Sequence, residues 1–381
     1  MKQLTGQDLK KMLISGANNL YNSYPEIDAL NVFPVPDGDT GMNMNLTMTS
    51  GVKEIQNRSD ESVAEIAKAF SRGLLMGARG NSGVITSQIF RGFAQGLEDK
   101  KEANAVEFAR AFEKGVEVAY KAVVRPVEGT ILTVMREASE VLSKVVKKDF
   151  SIERAMDVLI KEARESLKRT PDLLPILKEV GVIDSGGAGL LKIFEGLRLG
   201  LEGKVVERLE ATSTHGETPI KMAGASMEEE EFGYCTEFIM SLGPDSVKKP
   251  FNEKRFVTIL QSRGNSLVVV HDEEIVKVHV HTLNPGEVLT YAQQFGEFLK
   301  LKIENMTEQH HALATGEVVE EHHDLVGEPE EEKKEKSKYA IIAVSSGDGI
   351  DEFFEEIGIN IIVKGGQTMN PSSEDFVTAI K

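Results

Sequence analysis

Cys235 is the only cysteine among 381 residues, so no disulfide can form within the chain. That usage suits a reducing compartment. Basic charge is also in deficit: 44 lysines and arginines face 61 acidic residues, giving a formal net charge of -17, and no long Lys/Arg run occurs. Such a balance repels nucleic-acid phosphates and anionic lipid surfaces, which disfavours both as partners. Long apolar runs are missing too, and no stretch approaches the ~20 residues that a membrane-spanning helix needs. The N-terminal stretch MKQLTGQDLKKMLISGANNL mixes charge into its apolar positions, where a signal peptide would keep a continuous core. The expectation is a cytoplasmic protein without membrane insertion.

What is there divides by texture. The length predicts two or three domains. Residues 1–202 read as helical, with Thr5 placed to cap a first helix and further helices starting near Gly41, Ser62, Ser82, Asn104, Thr130 and Ser151. Apolar residues recur there at three- and four-residue spacing, as in Val106, Ala109, Phe112, Val116 and Ala119. A polar, turn-rich connector covers 203–225. In 226–326 the stretches RFVTILQS, GYCTEFIMS, SLVVVHD and IVKVHVHT read as strands and GEVLTYAQQFGEF as a helix, so an α+β domain is expected. Residues 327–338, GEPEEEKKEKSK, form a charge-dense linker. Residues 339–381 read as strand, glycine turn, helix and strand, the start of an α/β domain. So short a segment is uncomfortable as a domain alone, and completion by further chain is expected.

Four glycine-bearing loops punctuate the helical part: PDGDTG, GARGNSG, PVEGT and DSGGAG. The first sits in NVFPVPDGDTGMNM, residues 31–44, and sets Asp37 and Asp39 two residues apart. A divalent cation would turn their mutual repulsion into attraction; a solvated acidic turn is the other reading, and spacing alone leaves both open. An EF-hand is excluded. With Asp37 as position one, Met42 falls where glycine is required and Met48 where glutamate is required. In the second loop Gly77, Gly80 and Gly83 precede an apolar helical run, with Ser82 suited to capping. N–H groups freed at such a helix start attract phosphate, although close helix packing would also explain the glycines. It is neither a P-loop, lacking Gly-Lys-Ser/Thr, nor a dinucleotide turn, lacking a preceding strand. Gly129 and Thr130, and Asp184, Ser185, Gly186 and Gly187, lie at two further helix starts. Helix capping is their commoner use. Four such loops in one domain, one with paired Asp, favour a nucleotide–metal site.

The later domain offers a separate pattern. In IVKVHVHT the strand period sets Lys277, His279 and His281 on one face and three valines on the other. Two imidazoles on one face can chelate one ion, and a thiolate from Cys235 would complete a zinc-like set. An exposed histidine pair is the alternative. His310, His311, His322 and His323 come as adjacent pairs in polar surroundings and read as solvated.

Taken together, NVFPVPDGDTGMNM, GARGNSGVITSQI, PVEGTILTV and DSGGAGL resemble the nucleotide-binding L-type domain of the dihydroxyacetone kinase family. With the domain that follows, the chain is similar to the large, ATP-binding subunit of bacterial fatty acid kinases. The resemblance implies an all-α, eight-helix barrel binding ATP at one end through Mg²⁺, then an α+β domain and a C-terminal α/β segment. Asp37 and Asp39 match the family's metal-binding, catalytic aspartate pair, while a third, upstream aspartate is replaced by Asn31, with Asp28 an acidic alternative. Thr40, Asn43, Gly80, Asn81, Ser82 and Gly83 would hold phosphates. Gly129, Thr130, Asp184, Ser185 and Gly186 would lie near the ribose and base. The resemblance also implies Zn²⁺ on Cys235, His279 and His281, a homodimer formed through the middle domain, and a separate fatty-acid-binding carrier protein as partner. The implied activity is phosphorylation of the carried fatty acid's carboxylate, giving an acyl phosphate. Alternatives are a dihydroxyacetone-type small-molecule kinase, whose covalent substrate-holding domain this chain lacks, and a non-catalytic nucleotide-sensing protein.

Overall fold

The computed structural model describes residues 1–209, 233–243, 249–307, 342–345 and 361–364. Met1–Val319 form one compact unit and Glu320–Lys381 a second.

The first unit opens with helices α1 (Gly6–Tyr21), α2 (Tyr24–Asp28), α3 (Thr40–Ile55), α4 (Val63–Gly77) and α5 (Gly80–Gly96). There follow α6 (Ala105–Ala122), α7 (Ile131–Val145), α8 (Ile152–Leu173), α9 (Pro175–Val180) and α10 (Ser185–Leu201). Local chemistry marks several starts. Thr5 and Asp8 form a capping box on α1, Asn104 and Glu107 another on α6, and the Ser151 hydroxyl accepts from Arg154 N–H on α8. The long helices pack in a closed order: α1 on α3, α3 on α4, then α5, α6, α7, α8, α10, and α10 again on α1. Their inward faces meet in one core, through which runs a chain of ring contacts from Phe70 by way of Phe90, Phe93, Phe108 and Phe112 to Phe194.

An antiparallel sheet follows, from β1 (Tyr234–Leu242), β2 (Asn265–Asp272), β3 (Ile275–Thr282) and β4 (Gly296–Asn305), in the order β2-β3-β1-β4. Helices α11 (Glu253–Gln261) and α12 (Pro285–Ala292) supply Phe256, Leu260, Val288 and Ala292, which share a core with Phe238, Met240, Val276, Val278 and Val280 of the sheet. The stretch RFVTILQS is thus mostly helix rather than the expected strand. Asn252 caps it by accepting from Arg255 N–H, and Phe256 and Leu260, four residues apart, stack on the one buried face. The end of GEVLTYAQQFGEF likewise leaves the helix and enters β4 at Gly296.

The other sheet face meets the helices. Val268 and Val270 of β2 pack with Leu75, Ala78 and Val84. Arg91 of α5 binds Asp272 Oδ1 at 2.8 Å and the His271 carbonyl at 2.9 Å, and Val124 N–H donates to the Leu267 carbonyl at 3.4 Å. Lys277 is buried, and its ammonium donates to the carbonyls of Leu75 and Ala78 where α4 ends.

In the second unit β5 (Ile342–Ser345) pairs in parallel with β6 (Ile361–Lys364), Ile342 opposite Ile361. The helix expected between these strands, the linker 327–338, most of the connector 203–225 and the four paired histidines from 310 to 323 lie outside the described residues. Among the described residues no helix is long and apolar enough to cross a membrane.

Phe112 touches three other rings at the centre of the helical core and is 1% exposed. Phe112→Ala should lower stability by about 3–5 kcal/mol, read as a shift in the denaturation midpoint.

Candidate functional site

The four glycine loops gather at one end of the helices, facing β1, β3 and β4, and together they enclose a cavity of about 340 Å³.

The acidic loop forms one wall. Asp39 precedes α3 at the N-cap position, and its carbonyl accepts from Asn43 N–H. Asn31, buried, donates from Nδ2 to Asp37 Oδ1 at 2.5 Å. Burial and the adjacent Asp39 push the Asp37 carboxyl well above the usual carboxylate range. Asn31, Asp37, Asp39, Thr40 and Asn43 all line the cavity. Asp28 does not. It sits at the end of α2 and accepts from Gly41 N–H at 2.6 Å and Met42 N–H at 3.1 Å, so it serves as a cap for α3. Burial raises its carboxyl to about 6 against those bonds.

The second wall is the turn from α4 into α5. Helix α5 begins at Gly80, two residues before Ser82, with Arg79 as its N-cap; Ser82 therefore does not cap it, and its hydroxyl donates to the Thr40 carbonyl at 3.3 Å. Gly80 has φ +57°, and a Cβ there would lie 2.5 Å from Asn43 Nδ2, so glycine alone fits. Gly80, Asn81 and Ser82 line the cavity, and the Asn81 and Ser82 N–H groups have no acceptor among the described residues. Gly83 does not line it: a Cβ there would meet Thr47 Oγ1 at 2.4 Å, which makes this glycine a close-packing contact between α5 and α3.

The third wall joins the starts of α7 and α10. Thr130, Asp184, Ser185 and Gly186 line it with the apolar Val123, Val124, Ile131 and Leu132. Gly129 stands behind, with φ +83° and its N–H donated to Thr133 Oγ1, and so shapes the turn without lining the cavity. Asp184 is buried and caps α10 by accepting from Gly187 N–H at 2.6 Å; burial drives its carboxyl up to about 7.

The sheet closes the cavity. Cys235 pairs across the strands with His281, and Glu237 with His279, so all four residues share the inward face. One ligand atom from each of Cys235, His279 and His281 lies within 4.8 Å of the others, and the two histidine Nε2 atoms are 3.1 Å apart. Two nitrogens on a tetrahedral zinc lie about 3.3 Å apart, so the donor set and its spacing fit that ion. The alternative of an exposed histidine pair fails, because His279 is 1% accessible. Burial opposes the charged form of His279, but the Cys235 sulfur and the Glu237 carboxylate outweigh it and lift His279 to about 10. Burial and His279 hold His281 down near 3, and burial pushes the Cys235 thiol up.

Sequence reasoning missed Glu237, Lys302 and Glu304, which face the cavity from β1 and β4. Strand alternation from Cys235 sets Glu237 on the same face, but the pairing of Lys302 with Glu237 and Glu304 with Cys235 is a matter of β4 register. The acidic pair and the Cys–His–His cluster, separate in the sequence, share one cavity.

Comparison with known proteins places three family models on the chain. Residues 34–199 match the DAK2 domain, 231–313 the FakA-like middle domain of fatty acid kinases, and 340–381 the FakA-like C-terminal domain of the same kinases. Protein YloV of Bacillus subtilis (strain 168) is 46% identical over 391 residues, covering 100% of this chain and 68% of YloV. A protein of Staphylococcus haemolyticus (strain JCSC1435) is 48% identical over 386 residues, with the same coverage. Among solved structures, the dihydroxyacetone kinase from C. freundii in complex with AMP-PNP and Mg²⁺ matches with a TM-score of 0.39 and 18% identity, over 50% of this chain and 33% of that one.

Asp184 supplies a test of the cavity's electrostatics. Its folded value of about 7 exceeds the unfolded ~3.9, so its stabilising contribution is complete below about pH 4 and is lost as pH rises through about 7. Asp184→Asn keeps an oxygen for Gly187 N–H and removes the charge. In nucleotide-free protein, the melting temperature of the variant relative to the parent should climb between about pH 4 and pH 7.

Proposed function

Because the chain belongs to the FakA-like fatty acid kinase family of DAK2-domain proteins, we propose that its cavity transfers the γ-phosphoryl group of ATP to the carboxylate of a fatty acid presented by a separate carrier protein. The product is an acyl phosphate. The observation that carries this reading is the shared cavity, in which an acidic pair, a helix-start turn with free N–H groups and a Cys–His–His cluster face one another. The closed packing order of the eight long helices supports the barrel arrangement.

Phosphoryl transfer asks a protein for alignment and for neutralised charge rather than covalent chemistry. Asp37 and Asp39 are the residues that would hold Mg²⁺. The raised Asp37 carboxyl and its contact with Asn31 mark a site where oxygen ligands are crowded together without a balancing cation. Bound there, Mg²⁺ would neutralise charge on the phosphate oxygens. The Asn81 and Ser82 N–H groups, at the positive end of α5, suit phosphate. Thr130 and Asp184, beside Ile131 and Leu132, offer polar and apolar contacts to ribose and base. Cys235, His279 and His281 would hold Zn²⁺, which as a Lewis acid supplies further positive charge. Lys302 brings a cation of the chain's own to the same face, 2.8 Å from Glu304. Exposed Leu299, Leu301 and Ile303 on the edge strand β4 support a homodimer formed through the sheet.

The test is nucleotide consumption by the purified chain with Mg²⁺ and a fatty-acid-loaded carrier, run beside dihydroxyacetone. Consumption with the loaded carrier alone is expected. Consumption with dihydroxyacetone instead, or ATP binding without turnover, would overturn the reading. The double substitution Asp37→Ala, Asp39→Ala should cut turnover by about 10³-fold or more, since a bound cation contributes several kcal/mol to the transition state.

A further inference from the structure

Glu237 is 6% exposed and stands between the two chemical ends of the cavity. Its Oε1 accepts from Gly80 N–H at 2.6 Å, and the same oxygen lies 2.7 Å from His279 Nδ1. One atom therefore serves the first turn of α5 and the imidazole of the metal-type cluster. With Nδ1–H committed to the carboxylate, the His279 ring carries its free lone pair on Nε2, which faces His281 Nε2 at 3.1 Å. A carboxylate behind a histidine fixes both the tautomer and the ring direction that a metal needs.

General packing does not require this arrangement. The sheet is already fastened to the helices by Lys277 on the Leu75 and Ala78 carbonyls, by Arg91 on Asp272, and by Val268 and Val270 in a shared apolar cluster. A carboxylate is costly to bury, and here it is placed where both of its contacts belong to residues lining the cavity.

We infer that Glu237 is a positioning residue that couples the two ends of the cavity, fixing His279 for metal binding while holding the Gly80 turn against the sheet. The inference rests on the reading of Cys235, His279 and His281 as a zinc site and of the Gly80 turn as the phosphate-facing one. Ion occupancy and closure of the turn are then linked through one oxygen atom, and the linkage is reciprocal. An ion on His279 Nε2 makes the Nδ1 proton a stronger donor, which holds the carboxylate more firmly in the place where Gly80 meets it.

The experiment compares the full chain with Glu237→Ala and Glu237→Gln by two measurements that need no turnover. One is zinc affinity by chelator competition; the other is amide hydrogen exchange across residues 79–83, with and without zinc. The alanine variant should bind zinc about 10–100-fold more weakly, and its Gly80 turn should exchange faster and no longer slow down when zinc is added. The glutamine variant keeps an oxygen that accepts both N–H groups. It should exchange as slowly as the parent and bind zinc with intermediate affinity, because the amide lacks the carboxylate charge. Should alanine prevent folding, the glutamine variant decides by its affinity. Parental zinc affinity in the folded variants, or parental exchange at Gly80 in the alanine variant, overturns the inference. A parent that takes up no zinc would instead defeat the reading of the cluster, and Gly80 exchange in the alanine variant would then decide the role of Glu237 alone.

Discussion

Two opposite charges reach from the sheet to the two ends of one turn. At the C-terminal end of α4, where carbonyls point outward without partners, the Lys277 ammonium takes those of Leu75 and Ala78. At the N-terminal end of α5, where amides point outward, the Glu237 carboxylate takes that of Gly80. Each charge answers the helix end it meets, positive against the carbonyl end and negative against the amide end. Burial pulls the Lys277 ammonium down to about 8, against the attraction of Glu237, so this clamp is held under electrostatic cost. The rest of the site depends on it. The clamp sets the glycine turn at the distance from β1 and β3 that makes a cavity between the helices and the sheet.

The site is assembled from parts with different origins. The acidic loop is positioned from within the helices: Asp28 at the end of α2 ties down the start of α3, which leaves Asp37 and Asp39 carried between two fixed points. The starts of α7 and α10 meet through close approach, a Cβ on Gly186 coming within 3.2 Å of Ile131. The Cys–His–His cluster owes its geometry to antiparallel pairing alone. Three kinds of local rule (capping, glycine packing and strand alternation) therefore converge on one space.

Much of this is legible from residue order, and what is not has a physical reason. Helix starts are readable because a side chain or a glycine marks each of them, as Thr5, Asn104 and Ser151 do. The start of α5 lies two residues earlier than its capping signal suggests: Ser82 has the right side chain for a cap, but Gly80, free to adopt a positive φ, turns the chain first. RFVTILQS misleads because β-branched and aromatic residues carry strand propensity, while the burial of Phe256 and Leu260 that decides the matter belongs to tertiary packing. The family resemblance supplies the aspartate pair and the Cys–His–His set. Neither it nor the spacing points to Glu237 or Lys302, since their roles arise from cross-strand neighbours and from a helix turn more than 150 residues away. Asp28, by residue type a substitute ligand, does backbone work instead.

The strand pairing of the sheet has a consequence for inheritance. Cys235, Glu237, His279 and His281 face the cavity only while β1 and β3 keep their present alignment, and the residues that enforce it are Phe238, Met240, Val278 and Val280 on the opposite face. A slip by one position would exchange the two faces, turning Thr236 and Phe238 towards the helices and every reactive group away. The chemistry and the apolar packing behind it are thus two readings of the same eight-residue ladder, and a lineage cannot revise one without submitting the other to the same selection.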